Sequence, residues 1–335
     1  MVLALNRETT QSPSLNLAII AIVVLVNAIF YFILPIYLLP LHNAWILVLV
    51  PVVLSTITHW ALIHEAIHTK LVVGRARNDA IGRLLSTLFG APFEIVRFGH
   101  LSHHSLNAKA TERPEIIDPG RDAVWRFRAA YYFRLCFGVY TAEILSTLLA
   151  WLPRRYLEPV VRRIFYEGEA EAQSMADRAV KVILNVDTLR AIRTDSVVII
   201  ALIITACWLY GPWWPAFLIA LAGRAFIVSF MDNAPHYAGE LGDPNQGYDM
   251  HLPKPWQALV LNSNFHGTHH RHPNLPWTAL PIAFEADQAH YAGGYLTLPL
   301  RQFMGPVTID QILAANGNKG QMPLPGDPRA NEAAS

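Results

Sequence analysis

Two long apolar segments separated by a four-residue turn set the strongest limit on how this chain can fold. The first runs from Leu17 to Leu39 and the second from Ala44 to Ile63, with only residues 40–43 between them. An apolar helix of this length crosses the hydrocarbon core of a bilayer, which is about 30 Å thick. The pair therefore predicts a transmembrane hairpin, preceded by a flexible polar N-terminus over residues 1–16.

The composition of the chain supports a membrane location. Hydrophobic residues make up 53% of the 335 residues and charged residues only 15%, whereas soluble globular proteins carry about 25% charged residues. The first apolar segment is too long for a cleaved signal peptide and runs directly into another span. We therefore expect the bilayer to be a partner of this chain and do not expect nucleic acid to be one.

A third apolar region, from Val197 to Met231, is interrupted by Gly211-Pro212-Trp213-Trp214-Pro215. Glycine and proline end helices, and tryptophan favours the membrane interface, so the interruption predicts the tip of a second hairpin. The expected fold is an all-α integral membrane protein with four transmembrane helices in two hairpins. The expected spans are about 17–39, 44–63, 197–211 and 213–232.

The distribution of basic residues predicts the orientation of these spans. Lysine and arginine are concentrated in residues 64–130 and 153–195, and the two hairpin tips carry none. Under the positive-inside rule, both basic segments and both termini lie in the cytoplasm. The apolar segment 131–152 then cannot cross the membrane once, so we expect it to lie in the interface. Residues 291–335 are expected to form a C-terminal tail that is disordered from about residue 316.

Histidines occur at repeated helical spacings in three short motifs. These are His-x-x-x-His at 64–68 and His-x-x-His-His at both 100–104 and 266–270. Residues three and four apart share one face of a helix, so each motif directs its imidazoles together. In the four-span arrangement these motifs and His236 all fall on the cytoplasmic side. The candidate metal ligands are His64, His68, His100, His103, His104, His236, His266, His269 and His270.

The number of these histidines indicates two metal ions. Imidazole is the commonest side-chain metal ligand, and nine imidazoles exceed what a single four-coordinate zinc ion uses. Iron, zinc, copper and nickel all accept imidazole, so the ligand type by itself does not identify the metal. The pattern therefore predicts a two-metal site and leaves its metal open.

The three motifs resemble the histidine boxes of the membrane fatty acid desaturase and hydroxylase superfamily. The resemblance covers the arrangement from about residue 17 to residue 282, and we take residues 17–290 as the desaturase-like domain. It implies a four-helix membrane bundle whose cytoplasmic helical cap carries the boxes and binds two iron ions. It also implies a bacterial inner-membrane location, because the run 272–277 resembles the surroundings of the third box in bacterial members.

The same resemblance implies roles for residues around the boxes. It makes His236 a ligand, because family members place a further histidine after the last span, with an asparagine four residues earlier. Here that earlier residue is Asp232, for which the resemblance implies a contact to the metal through water or through a ligand. Asn264 also resembles the surroundings of the third box. We expect Glu65 to orient a histidine ligand, and Asn107 and residues 112–115 are further candidates for that task.

The chemistry implied by the resemblance is the oxidation of a fatty acyl chain by O₂ with two external electrons. The chain contains no haem-binding His-Pro-Gly-Gly, no flavin fingerprint and no cysteine cluster, since Cys136 and Cys207 are its only cysteines. A separate electron donor, a ferredoxin or similar carrier, is therefore implied. The basic segment 153–195 is a possible docking site for an acidic carrier, although its charge also serves membrane orientation.

Three other functions fit part of the pattern. The same boxes serve lipid or carotenoid hydroxylases and ketolases. The motif at 64–68 also matches His-Glu-x-x-His of zinc proteases, in which Glu65 would be the general base. A single zinc ion, however, would leave the other two boxes unused, and no later span supplies a convincing Asp-Gly partner. A non-catalytic membrane metal-binding protein is the third alternative.

Arg224 lies within the last expected span. We expect its long side chain to reach the cytoplasmic interface.

Overall fold

A computed structural model describes residues 12–107, 109–110, 113–118, 123–165 and 172–317. The expected flexibility of residues 1–11 and disorder of residues 318–335 lie outside these described residues. The helices, numbered along the chain, are α1 Pro13–Ala28, α2 Leu49–Leu54, α3 Thr56–Ile67, α4 Arg75–Phe89, α5 Phe93–Leu106, α6 Val124–Phe133, α7 Val139–Leu149, α8 Arg154–Ile164, α9 Ala172–Ile183, α10 Val186–Tyr210, α11 Trp214–Asn233, α12 Lys254–Gln257, α13 His266–Arg271, α14 Leu280–Ala286 and α15 Ile309–Gly317.

Four short strands and several tighter or wider helical turns complete the described chain. The strands are β1 Ile116–Ile117, β2 Asp249–His251, β3 Tyr291–Gly294 and β4 Val307–Thr308. Turns of π-helix cover Ile29–Leu38 and Arg134–Gly138, and 3₁₀-helix covers Asn43–Val48, Gly211–Trp213, Ala258–Val260, Trp277–Ala279 and Leu298–Met304. The structure is mostly helical, but the expectation of an entirely α-helical fold is wrong in this detail.

The described chain divides into two compact units. The helical unit lies within Glu8–Leu101 and Val139–Val228, and the mixed unit lies within Ser102–Gly138 and Ser229–Ser335. Helix α5 contributes to both, because the division falls between Leu101 and Ser102. Each unit is described below by itself.

Three helical regions are long and apolar enough to cross a membrane. They are Pro13–Leu38 with 26 residues, Asn43–Ile67 with 25 residues and Val186–Asn233 with 48 residues. The third region is interrupted by the 3₁₀ turn Gly211–Trp213, where Gly211 has a φ of +51°. Such a backbone conformation is accessible to glycine and strained for other residues, so the glycine permits the break between α10 and α11.

Two of the apolar helices begin earlier than the sequence suggested. Helix α1 starts at Pro13, and the buried Asn16 side chain in its first turn donates a hydrogen bond of 2.7 Å to the carbonyl oxygen of Leu71. Helix α10 starts at Val186 and continues through Asp195, which is 3% exposed. The Asp195 carboxylate lies 3.4 Å from the Arg83 guanidinium, and this ion pair compensates the buried negative charge. The apolar pattern alone had placed Asp195 before the start of the helix.

An aromatic cluster joins these helices in the core of the helical unit. The rings of Phe30 and Phe217 stack with their centroids 5.0 Å apart, and the Tyr210 ring lies 5.1 Å from that of Phe217. The Tyr210 hydroxyl donates a hydrogen bond of 2.8 Å to the Phe30 carbonyl oxygen. Pro35, which lacks an amide hydrogen, lies within the π-helical turn of this segment. Apolar packing around these rings therefore ties the first apolar region to the third.

Arg224 is buried, so the expectation that it reaches the interface is wrong. Its guanidinium donates a hydrogen bond of 3.3 Å to the Asn27 side-chain oxygen and lies 2.9 Å from the His59 Nδ1 atom. The rings of Phe30 and Phe89 lie 5.5 and 5.4 Å from the guanidinium carbon, within the range of cation–π attraction. These groups replace the water that an arginine otherwise requires, and only the folded helices bring them together.

The mixed unit contains two small parallel sheets. Strand β1 pairs with β4, and β2 pairs with β3. Its core includes Tyr131, Tyr237, Val307 and Ile312. The Tyr131 hydroxyl donates to the Gln302 carbonyl oxygen, and the Tyr237 hydroxyl donates to the Gly305 carbonyl oxygen. Residues 291–317, the described part of what the sequence suggested is a C-terminal tail, pack into the core of this unit.

Close packing at Gly82 holds together the helices that carry the first two histidine motifs. A Cβ atom at position 82 would lie 2.6 Å from the Phe93 ring and 2.8 Å from the Ala66 Cβ atom. Both neighbours are fully buried, so neither can move away easily. Glycine at this position therefore lets α4 approach α3, which carries His64, at short distance.

We predict that Gly82→Ala lowers the free energy of unfolding by about 1–3 kcal/mol, because the added methyl group overpacks this contact. The matched control is Gly99→Ala, since a Cβ atom at that helical glycine meets no atom within 4 Å. Thermal unfolding of both purified variants in the same detergent measures the difference. Equal stability of the two variants would contradict the packing assigned to Gly82.

Candidate metal centre

The third histidine motif is built on a short helix that one aspartate holds in place. The Asp249 carboxylate accepts hydrogen bonds from the Thr268 backbone N–H at 2.8 Å and from the Thr268 hydroxyl at 3.0 Å. It also accepts one from Arg271 at 3.2 Å. Asp249 is 3% exposed, and burial raises the pKa of its carboxyl while these bonds oppose the increase. The carboxylate thereby attaches α13 to strand β2.

A pair of glycines allows this helix to approach the preceding loop. A Cβ atom on Gly267 would lie 2.2 Å from the Gly247 carbonyl oxygen. No residue with a side chain therefore fits at position 267 unless the backbone moves. The glycine inside the motif His266-Gly267-Thr268-His269-His270 therefore has a steric purpose. Neither this contact nor Asp249 was identified from the sequence, because each joins residues about twenty positions apart.

Four histidines of the mixed unit converge at one point. They come from α5, from the loop after α11 and from α13, and their ring nitrogens lie within 4.8 Å of one another. The Nε2 atom of His236 lies 3.1 Å from that of His103 and 2.8 Å from that of His266. The fourth member, His270, is 3% exposed, and neither of its ring nitrogens has a hydrogen-bond partner among the described residues. We call His103, His236, His266 and His270 the four-histidine cluster.

Two further histidines of the mixed unit lie beside this cluster. The Nε2 atoms of His104 and His269 are 3.1 Å apart. The His104 ring stacks on that of His270 with a centroid distance of 4.3 Å. The second and third histidine motifs therefore meet through two pairs of imidazoles, as their helical spacing allowed.

The remaining three predicted ligands converge within the helical unit. The Nε2 atoms of His68 and His100 lie 2.9 Å apart, and the His64 ring is 4.8 Å from that of His68 and 4.5 Å from that of His100. The first motif thus meets the first histidine of the second motif. Because His100 and His104 are four residues apart on α5, they share one face of that helix.

Burial favours the neutral form, which metals bind, for four of these imidazoles. Burial, with His104 and the Arg113 guanidinium nearby, lowers the pKa of His103 to about 3. Burial lowers the pKa of His104 to about 4. Burial and the neighbouring imidazoles also lower the pKa values of His236 and His270 well below the usual range. A neutral imidazole has one ring nitrogen with a free lone pair, and that nitrogen is the atom that a metal ion binds.

The donor set therefore fits metal ions. The unpartnered nitrogens of His270 supply the clearest sign, because a buried polar atom without a partner is unfavourable unless something else binds it. Neutral nitrogen donors in a buried cluster suit divalent transition metals such as iron and zinc. These geometric features show that the clusters can hold metal, without identifying which one.

A network of polar side chains orients His236. Its Nδ1 atom donates a hydrogen bond of 3.3 Å to the Gln246 side-chain oxygen, so the neutral ring carries its lone pair on Nε2, which faces His103 and His266. Gln246 is 8% exposed, and its oxygen also accepts from Arg113 at 3.5 Å. Gln246 was not identified from the sequence. The only sequence feature that relates it to His236 is its position ten residues later, which by itself does not indicate a contact.

The wider network includes two residues that the sequence had suggested. The side-chain amide of Asn107 donates to the Gln246 carbonyl oxygen. The Glu115 carboxylate accepts hydrogen bonds from the Arg113 guanidinium at 2.7 and 2.9 Å and from the Ala238 backbone N–H at 3.1 Å. The Arg113 guanidinium also donates to the His236 carbonyl oxygen. Residues 111–112 lie outside the described part of the chain.

The other predicted site residues occupy different surroundings. Glu65 is 4% exposed within the helical unit, next to His64 on α3, and His68 is the residue that follows this helix. Asn264 is fully buried and donates a hydrogen bond of 3.0 Å to the Met250 carbonyl oxygen, while its side-chain oxygen has no partner among the described residues. Asp232 is exposed near the end of α11 and forms no hydrogen bond within the described chain.

The histidine nearest the third motif belongs to a different group. His272 lies 2.9 Å from the Asp287 carboxylate, and Arg271 contacts the same carboxylate at 3.1 Å. These contacts lie near the surface, and His272 is not among the histidines that converge at the candidate metal centre.

We predict that Gln246→Leu weakens metal binding by about 10- to 100-fold, because His236 loses the acceptor that orients it. Gln246→Glu retains an acceptor oxygen and should bind metal more tightly than Gln246→Leu. Titration of the metal-free protein with Co²⁺ or Zn²⁺ measures the affinity without any turnover. Unchanged affinity in Gln246→Leu would show that His236 is oriented by other contacts.

Comparison with known proteins identifies the family of this chain. No curated protein sequence matches the chain significantly. The family described as "Fatty acid desaturase" matches residues 39–299. The match covers most of the chain and includes all three histidine motifs and His236. The chain belongs to the fatty acid desaturase family.

Proposed function

We propose that the protein is a membrane di-iron oxidoreductase that desaturates fatty acyl chains, using O₂ and two external electrons. The observation that carries the proposal is the four-histidine cluster, in which imidazoles from three segments converge and those of His236 and His270 are buried. Membership of the fatty acid desaturase family supports a lipid oxidation rather than another metal-dependent reaction. The three apolar helical regions support an integral membrane protein.

We propose that all nine histidines bind two iron ions. His103, His236, His266 and His270 are the ligands of one iron. The other five, His64, His68, His100, His104 and His269, remain for the second iron, and the shared helix face of His100 and His104 supports this division. When bound, the two iron ions would allow O₂ to be reduced, and this reduction provides the oxidising power needed to break an unactivated C–H bond.

The residues around the ligands hold these imidazoles in position. Gln246 selects the ring nitrogen of His236 that faces the metal, and Asp249 anchors the helix of the third motif. Glu65 and Asn264 are proposed to orient ligands, and Asp232 to act through water. Such contacts matter because a metal site built from several segments depends on the orientation of every ring.

Electrons must come from outside the chain under this proposal. The two cysteines are free, and the sequence has no haem or flavin motif. We therefore propose a separate ferredoxin-like carrier as the donor. The acyl substrate is proposed to lie between the spans, where an apolar chain is already desolvated.

We further propose four transmembrane spans in two hairpins, with the termini and the metal centre in the cytoplasm of a bacterial inner membrane. The apolar region Val186–Asn233 supports this. As one straight helix its 48 residues would extend about 72 Å, which is more than twice the hydrocarbon core of about 30 Å, so the region is long enough for two spans. The break at Gly211–Trp213 lies within it. The concentration of basic residues in segments 64–130 and 153–195 supports the orientation.

We predict that the purified protein contains about two iron ions per chain. Metal analysis of protein expressed in iron-replete medium measures this ratio. A content of about one zinc ion with no iron would contradict the di-iron proposal and would favour the zinc protease reading of the His-Glu-x-x-His motif at 64–68.

We predict that His266→Ala and His269→Ala each abolish acyl oxidation in an expressing host while the protein still inserts into the membrane. The matched control is His272→Ala, because His272 lies in the same segment but pairs with Asp287. Lipid profiling by mass spectrometry distinguishes a double bond from a hydroxyl or ketone, which a hydroxylase or ketolase would produce. Oxidation that survives either ligand change, or that is lost in the control, would refute the site assignment.

A further inference from the structure

A basic pocket in the helical unit lies apart from all nine histidines. It has a volume of about 450 Å³ and is formed where the end of α7, the start of α8, the end of α9 and the first turns of α10 meet. Three arginines line it, namely Arg154, Arg190 and Arg193, together with Trp151 and the apolar residues Val186 and Val197. These arginines belong to the basic segment 153–195 considered above for docking an electron carrier, but the pocket itself has been given no ligand.

The arginines retain donors for an anion. Arg193 donates a hydrogen bond of 2.9 Å to the Ala150 carbonyl oxygen, and Arg154 donates one of 3.4 Å to the Leu184 carbonyl oxygen. Within the described residues, neither forms an ion pair with a carboxylate. Arg190 contacts Asp187 at 3.1 Å, but both side chains are largely exposed, so this pair contributes little. No acidic residue lines the pocket.

The other side of the pocket is apolar and exposed. Val186, Val197 and Trp151 are 66%, 52% and 51% exposed. Val186, Arg190, Arg193 and Val197 follow one another at helical spacing, so they form one stripe along α10. The stripe leads from the arginines toward the apolar part of the same helix. An anion with an attached hydrocarbon chain therefore matches both halves of the pocket.

The neighbouring helices have the pattern of interfacial helices. In α8, Leu157 and Val161 are buried, whereas Arg154, Arg155 and Arg162 face solvent. Amphipathic helices with arginine on the polar face lie in the headgroup region of a membrane. Trp151, next to Arg193 with 5.9 Å between ring and guanidinium, is of the type that anchors a protein there.

We propose that this pocket binds the headgroup phosphate of an anionic phospholipid, with one acyl chain running from the arginines past Val197 along the apolar part of α10. Guanidinium groups bind phosphate oxygens through paired hydrogen bonds, and basic pockets beside membrane helices suit anionic headgroups. The exposed apolar stripe favours a lipid over free phosphate, because free phosphate gains nothing from it. The proposal rests on the proposed membrane placement and is independent of the iron chemistry.

The test uses the full chain, metal-free, in a nonionic detergent. Native mass spectrometry measures binding of short-chain phosphatidylglycerol and phosphatidylcholine, with inorganic phosphate as competitor. Phosphatidylglycerol should bind preferentially and should resist displacement by phosphate. In Arg154→Gln/Arg193→Gln its affinity should fall roughly thirtyfold, given the contribution of each basic residue to anionic lipid binding. Val197→Ser should weaken lipid binding as well.

The matched control is Arg155→Gln/Arg178→Gln, which removes the same charge from exposed positions on α8 and α9 outside the pocket. This control should bind phosphatidylglycerol like the unmodified protein. Equal binding of the two lipids, an equal loss in the control, or displacement by phosphate at the lipid's own concentration would each overturn the proposal. Because no step depends on iron or turnover, these outcomes are distinct from failure of the di-iron function.

Discussion

The convergence of imidazoles from three segments is the constraint on which the rest of the mixed unit depends. In the four-histidine cluster, the Nε2 atom of His236 lies 3.1 Å from that of His103 and 2.8 Å from that of His266, and the buried His270 ring has no hydrogen-bond partner within the described chain. Such an arrangement is unfavourable by itself, because an unpaired polar atom in the interior costs free energy. A bound cation removes this cost. The surrounding structure therefore has to hold the rings in place before the metal arrives.

The supporting contacts come from backbone geometry as much as from side chains. Asp249 binds both the backbone and the hydroxyl of Thr268, so it positions a whole helical turn and not a single ring. The close approach of Gly247 and Gly267 lets that turn pack against the loop. Gln246 then selects the orientation of His236, which lies on no regular helix. Four small or polar residues, Gln246, Gly247, Asp249 and Gly267, thus determine where the ligands of the third motif and His236 point.

The helical unit solves a different physical problem, which is to place polar groups among apolar helices. Three polar side chains are nearly inaccessible, and each forms a hydrogen bond or ion pair within the unit. They are Asn16, Asp195 and Arg224. Pairing makes these residues tolerable in an apolar environment and limits how the helices can rotate about their axes. The same unit places three arginines at the pocket beside α10, where their remaining donors can meet solvent or a lipid headgroup.

The local sequence determined the apolar helices, the break at Gly211–Trp213 and the histidine motifs, because hydrophobic runs, helix breakers and side-chain spacing are properties of neighbouring residues. Its failures all involve distant partners. Arg224 was misplaced because Asn27 and His59 are far away in sequence, and residues 291–317 seemed a tail because their partners, such as Tyr131, precede them by well over a hundred positions. Gln246 and Asp249 carried no local signal for the same reason. The sequence alone thus determined which residues can bind metal, whereas the tertiary structure decided which imidazoles meet and which contacts orient them, since those depend on packing between segments that the order of residues does not reveal.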